Sequence, residues 1–507
     1  MQSLRSFPNV QSLIDRLLDS AVPGEVLPSQ QTLAEARNQL FKTLPSNGIG
    51  LESTIEHLTR YIKPALNGNS LTANYYGFVT GGSTAAASLA DNLATLYDQN
   101  VQVHLPNETI ATDLEDAALR MLCSLLSLNA EEWPHRTFTT GATASNVIGL
   151  ACAREAVISK HLTAKGAYSV SCVGETGLVK AMREAGVEDI QVLTSAPHSS
   201  LSKAASILGL GRSCIKLIGH ENAPHLIDLA KLESALQEPN VASIVAISCS
   251  EVNTGKFATH SESHMREIRH LCDRFNAWVH VDGAFGIFAR LLTDADDASL
   301  IQASSGIELA DSITGDGHKL LNVPYDCGFI LTRSRSNAEQ VFQNPNAAYL
   351  SGGAASDIAS PLNIGIENSR RFRALPVYAT LVAYGRHGYA EMLERQVRLS
   401  RGIAKYITES AHFELLPERT VKEGIKDSFD DVFIIVLFRA RDASLNDRLV
   451  DLIKATAKIY VSGTAWKGLP ACRFAVSNWA VEPERDLQLI TSVLEGIVHD
   501  WKSRTAA

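Results

Sequence analysis

Between about residues 71 and 375, short apolar runs alternate with amphipathic stretches of helical period. VASIVAIS (241–248) and AWVHVD (277–282) are rich in β-branched residues and too short for ordinary helices, which predicts buried strands of a parallel sheet. SESHMREIRHLCDRF between them carries a helical pattern, so the three together predict a βαβ unit. After Pro376 the pattern changes to a long helix through about 410, then strand-like VFIIVLF (432–438), KIYVSG and CRFAVSNWAV. A last helix is predicted after Pro483, with Ile490, Val493, Leu494, Ile497, Val498 and Trp501 on one face. Residues 1 to about 70 alternate helical patterns with polar turns such as LPSNG. The reading is an α/β chain with three parts: an N-terminal helical segment (1–70), a large, mostly parallel sheet domain (71–375) and a small C-terminal α+β domain (376–507).

Length agrees with this division, because 507 residues exceed the ~250–300 at which a single hydrophobic core stops growing. Apolar residues make up 45% and charged residues 20%, an ordinary globular composition. The net charge of −9 and the scattering of Lys and Arg argue against a nucleic-acid or membrane-surface partner. Eight cysteines (Cys123, Cys152, Cys172, Cys214, Cys249, Cys272, Cys327 and Cys472) form no CxxC pair and no metal-ligand spacing. They read as reduced thiols packed as small hydrophobes, and no metal is predicted. The first twenty residues lack the basic start and apolar run of a signal peptide, and no window reaches ~18 apolar residues. A cytoplasmic location is the expectation.

Four segments carry candidate chemistry. In TFTTGATASNVIGLACAREAV (137–157), a Gly-containing polar turn runs into a helix, whose free N–H groups and positive dipole end suit a phosphate. The plainer reading is a capped helix start, with Thr140 or Thr143 as the cap. In WVHVDGAFG (278–286), Asp282 ends an apolar strand, where open α/β sheets bind ligands; alone, it equally suits a turn cap. In DSITGDGHKLLNVPYDCG (311–328), Lys319 follows His318 in an apolar, Gly-rich neighbourhood. Most lysines are solvated surface charges, but one shielded from water becomes a nucleophile or imine former. In TSAPHSSLSKAASILGLG (194–211), His198 precedes a helix starting near Ser199 or Ser200, either as a neighbour of its cap or as a flat face for a ring.

The four segments converge on one ligand. Pyridoxal 5′-phosphate needs a phosphate cradle, a carboxylate for its pyridine nitrogen, a flat partner for its ring and a lysine for its aldehyde. The carboxylate keeps the ring nitrogen protonated, and that makes the ring an electron sink.

With these segments in hand, the chain resembles the group II pyridoxal-phosphate-dependent amino-acid decarboxylases, which include the aromatic-L-amino-acid, glutamate and cysteine-sulfinate enzymes. The likeness runs from YYGFVTGGSTAAASLADNL (75–93) to SNWAVEP and is most specific in HVDGAFG and GHKLLNVPYDCG. NSRRFRALPVYATLVAYGRHG (368–388) resembles the arginine-rich helix that follows the family's active-site loop. The resemblance implies the aspartate-aminotransferase-like fold (fold type I of pyridoxal-phosphate enzymes), an intertwined homodimer and a small amino-acid substrate, with aromatic ones favoured. It makes Lys319 the Schiff-base lysine and puts His318 near the phosphate. Asp282 meets the pyridine nitrogen, Ala284 packs on one ring face and His198 stacks on the other. Ala142 and Thr143 bind phosphate, and Tyr349 in NPNAAYLSGG matches a loop tyrosine that helps to protonate the substrate carbanion.

The chain departs from its relatives in four places. Glu251 replaces a small hydroxyl residue, Ala258 an aspartate and Leu320 a common tryptophan, while Pro376 is expected to interrupt the post-loop helix. Three rivals follow. A decarboxylating aldehyde synthase is disfavoured by Tyr349; an acidic, glutamate-type substrate is left open; a non-catalytic scaffold of the same fold is disfavoured by the joint presence of Lys319, Asp282, His198 and Tyr349.

Overall fold

The computed structural model describes residues 25–164, 166, 172–344, 358–418 and 429–505. In chain order its strands are β1 (Tyr75–Tyr76), β2 (His135–Thr139), β3 (Asp189–Thr194), β4 (Ile215–Leu217), β5 (Val241–Ser248) and β6 (Trp278–Asp282). They continue with β7 (Ser312–Asp316), β8 (Gly328–Thr332), β9 (Phe413–Leu416), β10 (Ile435–Ala440), β11 (Tyr460–Trp466) and β12 (Leu469–Ala475). Seven of them form one sheet in the order β2-β8-β7-β6-β5-β3-β4, and five form a second in the order β1-β11-β12-β10-β9.

The large sheet is parallel except for β8, which runs antiparallel to both β7 and β2. All of β5 but its first residue is buried, as expected of a strand covered on both faces. β5 pairs in parallel with β6, and the helix Glu262–Arg274 connects them, completing the βαβ unit anticipated from the pattern. Ser261 caps that helix by accepting a hydrogen bond from the His264 amide at 3.2 Å.

Three observations modify the sequence reading. Strand-like VFIIVLF enters the sheet late, since β10 starts only at Ile435. β1 lies in a segment assigned to the large unit but pairs with β11 of the small sheet. Pro376 does not interrupt the post-loop helix: it is the third residue of the helix Ala374–Glu409, in the first turn, where no intrahelical N–H bond is lost. The break comes instead at Gly385 (φ 55°, ψ −171°). Val377 and Leu381 before it, and Tyr389, Met392 and Val397 beyond it, pack into the core under the large sheet; Leu399, Ile403 and Ile407 pack into the core under the small sheet.

His135 on β2 is wholly buried. Its Nε2 lies 2.8 Å from the Ile364 carbonyl and its Nδ1 3.0 Å from Thr332 Oγ1. The carbonyl can only accept, so the proton of the neutral ring sits on Nε2 and Nδ1 is the unprotonated nitrogen facing Thr332 Oγ1. Burial pushes the His135 pKa down to about 4. The unfolded chain therefore binds a proton that the native state refuses. The neutral ring's contribution is complete above the ordinary histidine value near 6.5 and is lost as pH falls towards about 4, with a slope of up to ~1.4 kcal/mol per pH unit. Denaturant unfolding of the parent and of His135→Gln between pH 7 and 4.5 measures this: the variant should lose about one proton's worth of the slope, and identical slopes would refute the assignment.

Candidate active site

The functional side chains gather at the carboxyl edge of the large sheet, where parallel strands end and their connections splay apart. β2 ends at Thr139; a two-residue turn through Gly141 starts the helix Ala142–Ala164. β3 ends at Thr194 and leads to His198, the N-cap of the helix Ser199–Ile207. β6 ends at Asp282, and β7 ends at Asp316, followed by the short helix Gly317–Leu320 that carries Lys319. One cavity is lined by Ala142, His198, Asp282, Ala284 and Lys319, together with Ser248, Ser250, Glu251, Val252 and Phe285.

Five of the anticipated residues thus border the same space. His318 stands beside it: its Nδ1 accepts from the Cys327 amide at 3.2 Å, and its ring stacks on Tyr325 with centroids 4.4 Å apart. Burial holds the His318 pKa below the usual histidine value. Thr143 is the second residue of the helix but is not among the cavity-lining residues. Neither Thr140 nor Thr143 acts as the cap; Thr139 Oγ1 accepts from the Gly141 amide at 3.2 Å and bonds Ser145 Oγ at 2.7 Å. Tyr349 lies outside the described residues. Leu320 is buried in the large core, so the position after the lysine serves packing.

Lys319 has a partner that its apolar neighbourhood did not announce. Its Nζ lies 2.8 Å from Asp316 Oδ2, one helical turn back, and 5.6 Å from the centre of the Phe285 ring. The other oxygen of Asp316 accepts from the Ala142 amide at 2.6 Å. A nearly buried carboxylate therefore joins the lysine to the amino end of the helix that begins at the glycine turn. The spacing Asp316-x-x-Lys319 was the available signal for this contact.

Asp282 and His198 face the cavity from neighbouring elements. Asp282 Oδ2 accepts from Asn146 Nδ2 at 3.0 Å, and Oδ1 accepts from the Ala284 amide at 3.3 Å. His198 Nδ1 accepts from the Ser200 amide at 3.2 Å, so His198 is itself the helix cap and the ring proton is on Nε2. Surrounding protein lowers the His198 pKa, and the charge of Asp282 partly offsets that fall.

Glu251 borders the cavity, yet its carboxylate is turned to its own loop, accepting from the Asn253 amide at 2.7 Å and from the amide and hydroxyl of Thr254. Arg473 on β12, missed in the sequence, is buried behind this loop. It donates to the Val252 carbonyl at 2.6 Å, its Nε has no hydrogen-bond partner among the described residues, and burial lowers its pKa against the pull of Glu251.

The profile of the pyridoxal-dependent decarboxylase conserved domain matches residues 35–423. The chain is 27% identical to L-2,4-diaminobutyrate decarboxylase of Acinetobacter baumannii over 370 residues, 70% of this chain and 67% of the relative. It is 23% identical to aromatic-L-amino-acid decarboxylase of Bacillus atrophaeus over 413 residues, covering 80% and 77%. Among solved structures, Oryza sativa TDC with PLP and tryptamine superposes with a TM-score of 0.79 at 19% identity, over 99% of this chain and 100% of that one. The fold is therefore the one that fold type I pyridoxal-phosphate decarboxylases share.

The lysine is also held from behind. A methyl group on Gly81 would stand 1.9 Å from the Lys319 carbonyl oxygen and 2.6 Å from Asn322 Nδ2, which itself donates to the Gly81 and Ser477 carbonyls at 2.7 and 2.9 Å. Gly81→Ala should displace the Lys319 backbone, cost ~1–3 kcal/mol of stability and weaken cofactor uptake. Thermal unfolding and titration with pyridoxal phosphate check this; parental values in both would show that the contact is not needed.

Proposed function

The chain belongs to the pyridoxal-dependent decarboxylase family, and from that premise we propose that it converts an L-amino acid, aromatic ones favoured, into its amine and CO2. The single observation that carries this reading is the shared cavity: an amine, a carboxylate and an imidazole face it together, beside a helix start entered through Gly141. That donor set fits pyridoxal phosphate. When bound, the cofactor supplies a protonated ring able to take up the electron pair left by departing CO2.

In this proposal Lys319 would hold the cofactor by its aldehyde, and Asp282 would keep its ring nitrogen protonated. Ala284 and His198 would bound the ring, and the Thr143 amide, with His318 nearby, would take the phosphate, since the Ala142 amide is engaged by Asp316. Selectivity for the carboxylate-bearing bond is a matter of how the walls orient the substrate. His198 carries its proton on Nε2 and is one donor placed to return it to the substrate carbon; Tyr349 is the other candidate.

Aromatic substrates are supported by a ring close to the lysine. Phe285 lines the cavity, with its ring centre 5.6 Å from Lys319 Nζ. An acidic substrate is the second reading, because Arg473 supplies a buried cation behind the cavity wall, although Glu251 competes for it.

A homodimer is supported by Leu89, Leu93 and Leu96, which expose one apolar side of the helix Ala85–Tyr97. All eight cysteines are buried and unpaired, which supports a reducing cytoplasm. Among the described residues, no helix is long and apolar enough to cross a membrane, and no group of three or more His, Cys, Asp or Glu side chains is arranged to hold a metal.

Lys319→Ala should lose the visible absorbance of the bound cofactor and all measurable CO2 release. Full turnover by this variant would end the proposal. A screen of the common L-amino acids for CO2 and amine should give the largest kcat/KM with an aromatic one. Preference for glutamate or aspartate would favour the Arg473 reading, and aldehyde with hydrogen peroxide would favour the oxidative variant.

A further inference from the structure

Behind the cavity wall runs a buried hydrogen-bonded chain in which each donor and acceptor can be assigned. Asn146, His280 and Ser312 are wholly buried, and neither Asn146 nor His280 lines the cavity. Asn146 Nδ2 lies 3.0 Å from Asp282 Oδ2 and 3.1 Å from Ser200 Oγ. A carboxylate accepts, so the amide nitrogen faces it and Asn146 Oδ1 must accept from elsewhere. His280 Nε2 supplies that bond at 2.8 Å. Burial pushes the His280 pKa down to about 4, so the ring is neutral near pH 7 and its Nδ1 accepts from Ser312 Oγ at 2.7 Å. Trp278 Nε1, which can only donate, completes the chain to Ser312 Oγ at 2.8 Å.

The polarity is uniform, running from Trp278 through Ser312, His280 and Asn146 to Asp282. A branch leaves at Asn146 through Ser200, whose hydroxyl lies 2.7 Å from His198 Nδ1. Because Nδ1 already accepts from the Ser200 amide, the hydroxyl donates as well, and both bonds fix the same tautomer.

We propose that Asn146 and His280 are positioning residues, one buried amide setting the orientation of both Asp282 and His198 from the floor of the large sheet. Asp282 is on β6 and His198 heads a helix after β3, strands joined only through β5, so the sheet sets the backbones but not the two side chains against each other. Asn146 does so by giving one amide hydrogen to each branch. His280 prevents the amide from turning over, because a flipped Asn146 would present its oxygen to Asp282 and its nitrogen to the His280 donor. Gly149, on the same helix, leaves room for the imidazole: a methyl group there would stand 2.6 Å from His280 Cε1 and 2.9 Å from Nδ1.

This inference rests on the cofactor assignment above, and the test separates the two. Parent, Asn146→Ala, His280→Leu, His280→Gln and Gly149→Ala are compared by pyridoxal phosphate titration, visible circular dichroism of the bound cofactor, kcat and KM. Asn146→Ala and His280→Leu should weaken cofactor binding by about 10-fold or more, diminish the visible dichroic band and lower kcat more than KM. His280→Gln, which keeps a nitrogen donor near the Nε2 position, should recover most of each loss, whereas a merely structural role would not distinguish Gln from Leu. Should Asn146→Ala fail to fold, Gly149→Ala, which displaces the ring and leaves Asn146 in place, carries the same expectation. Parental affinity, dichroism and kcat in His280→Leu and Gly149→Ala would overturn the positioning role. A parent protein that binds no pyridoxal phosphate would instead overturn the functional reading beneath it.

Discussion

A carboxylate removed from water must be met by donors or positive charge, and Asp316 meets this demand in a way that organises the whole carboxyl edge. One of its oxygens takes the Lys319 ammonium and the other takes the first amide of the helix Ala142–Ala164. Strand β7, the lysine turn and the helix beside the glycine turn are thereby tied at one point. Asn322 and Gly81 close the arrangement from the opposite side, clasping the segment before Thr84 against the lysine backbone. The lysine is held by its side chain and by its main chain, from different parts of the sequence.

Much of this was legible before any coordinates. The strands at 241–248 and 278–282 follow from β-branched residues packed on both faces, and the connecting helix follows from its period. Asp282 could be singled out because it ends an apolar strand, where such sheets expose chemistry, Lys319 by its apolar, Gly-rich neighbourhood and His198 by its place before a helix, while Ala142 and Ala284 came from the family resemblance alone. Asn146, Gly81 and Arg473 could not, because their importance lies in contacts between segments as much as 241 residues apart, as in the Asn322–Gly81 bond. Pro376 was misread for a related reason: a proline's effect depends on its distance from a helix start, and that start was set by tertiary packing at Ala374.

Glu251 shows how a residue can alter a site without supplying its chemistry. Its negative charge borders the cavity, yet the oxygens are consumed by the loop that bears them. What it contributes to the pocket is loop shape and a field acting on Arg473.

The helix Ala374–Glu409 bends at Gly385, a residue whose neighbourhood would admit a side chain but whose backbone angles discourage one, and passes from one core to the other further on, between Val397 and Leu399. Its length makes the helix common property of both sheets. A cut at Gly385 would not part the cores, because Tyr389, Met392, Leu393 and Val397 beyond the bend still line the first, and Leu399, Ile403 and Ile407 line the second. The protein is built less like two beads on a string than like two rooms sharing a roof beam, and a load placed on one is borne by the other.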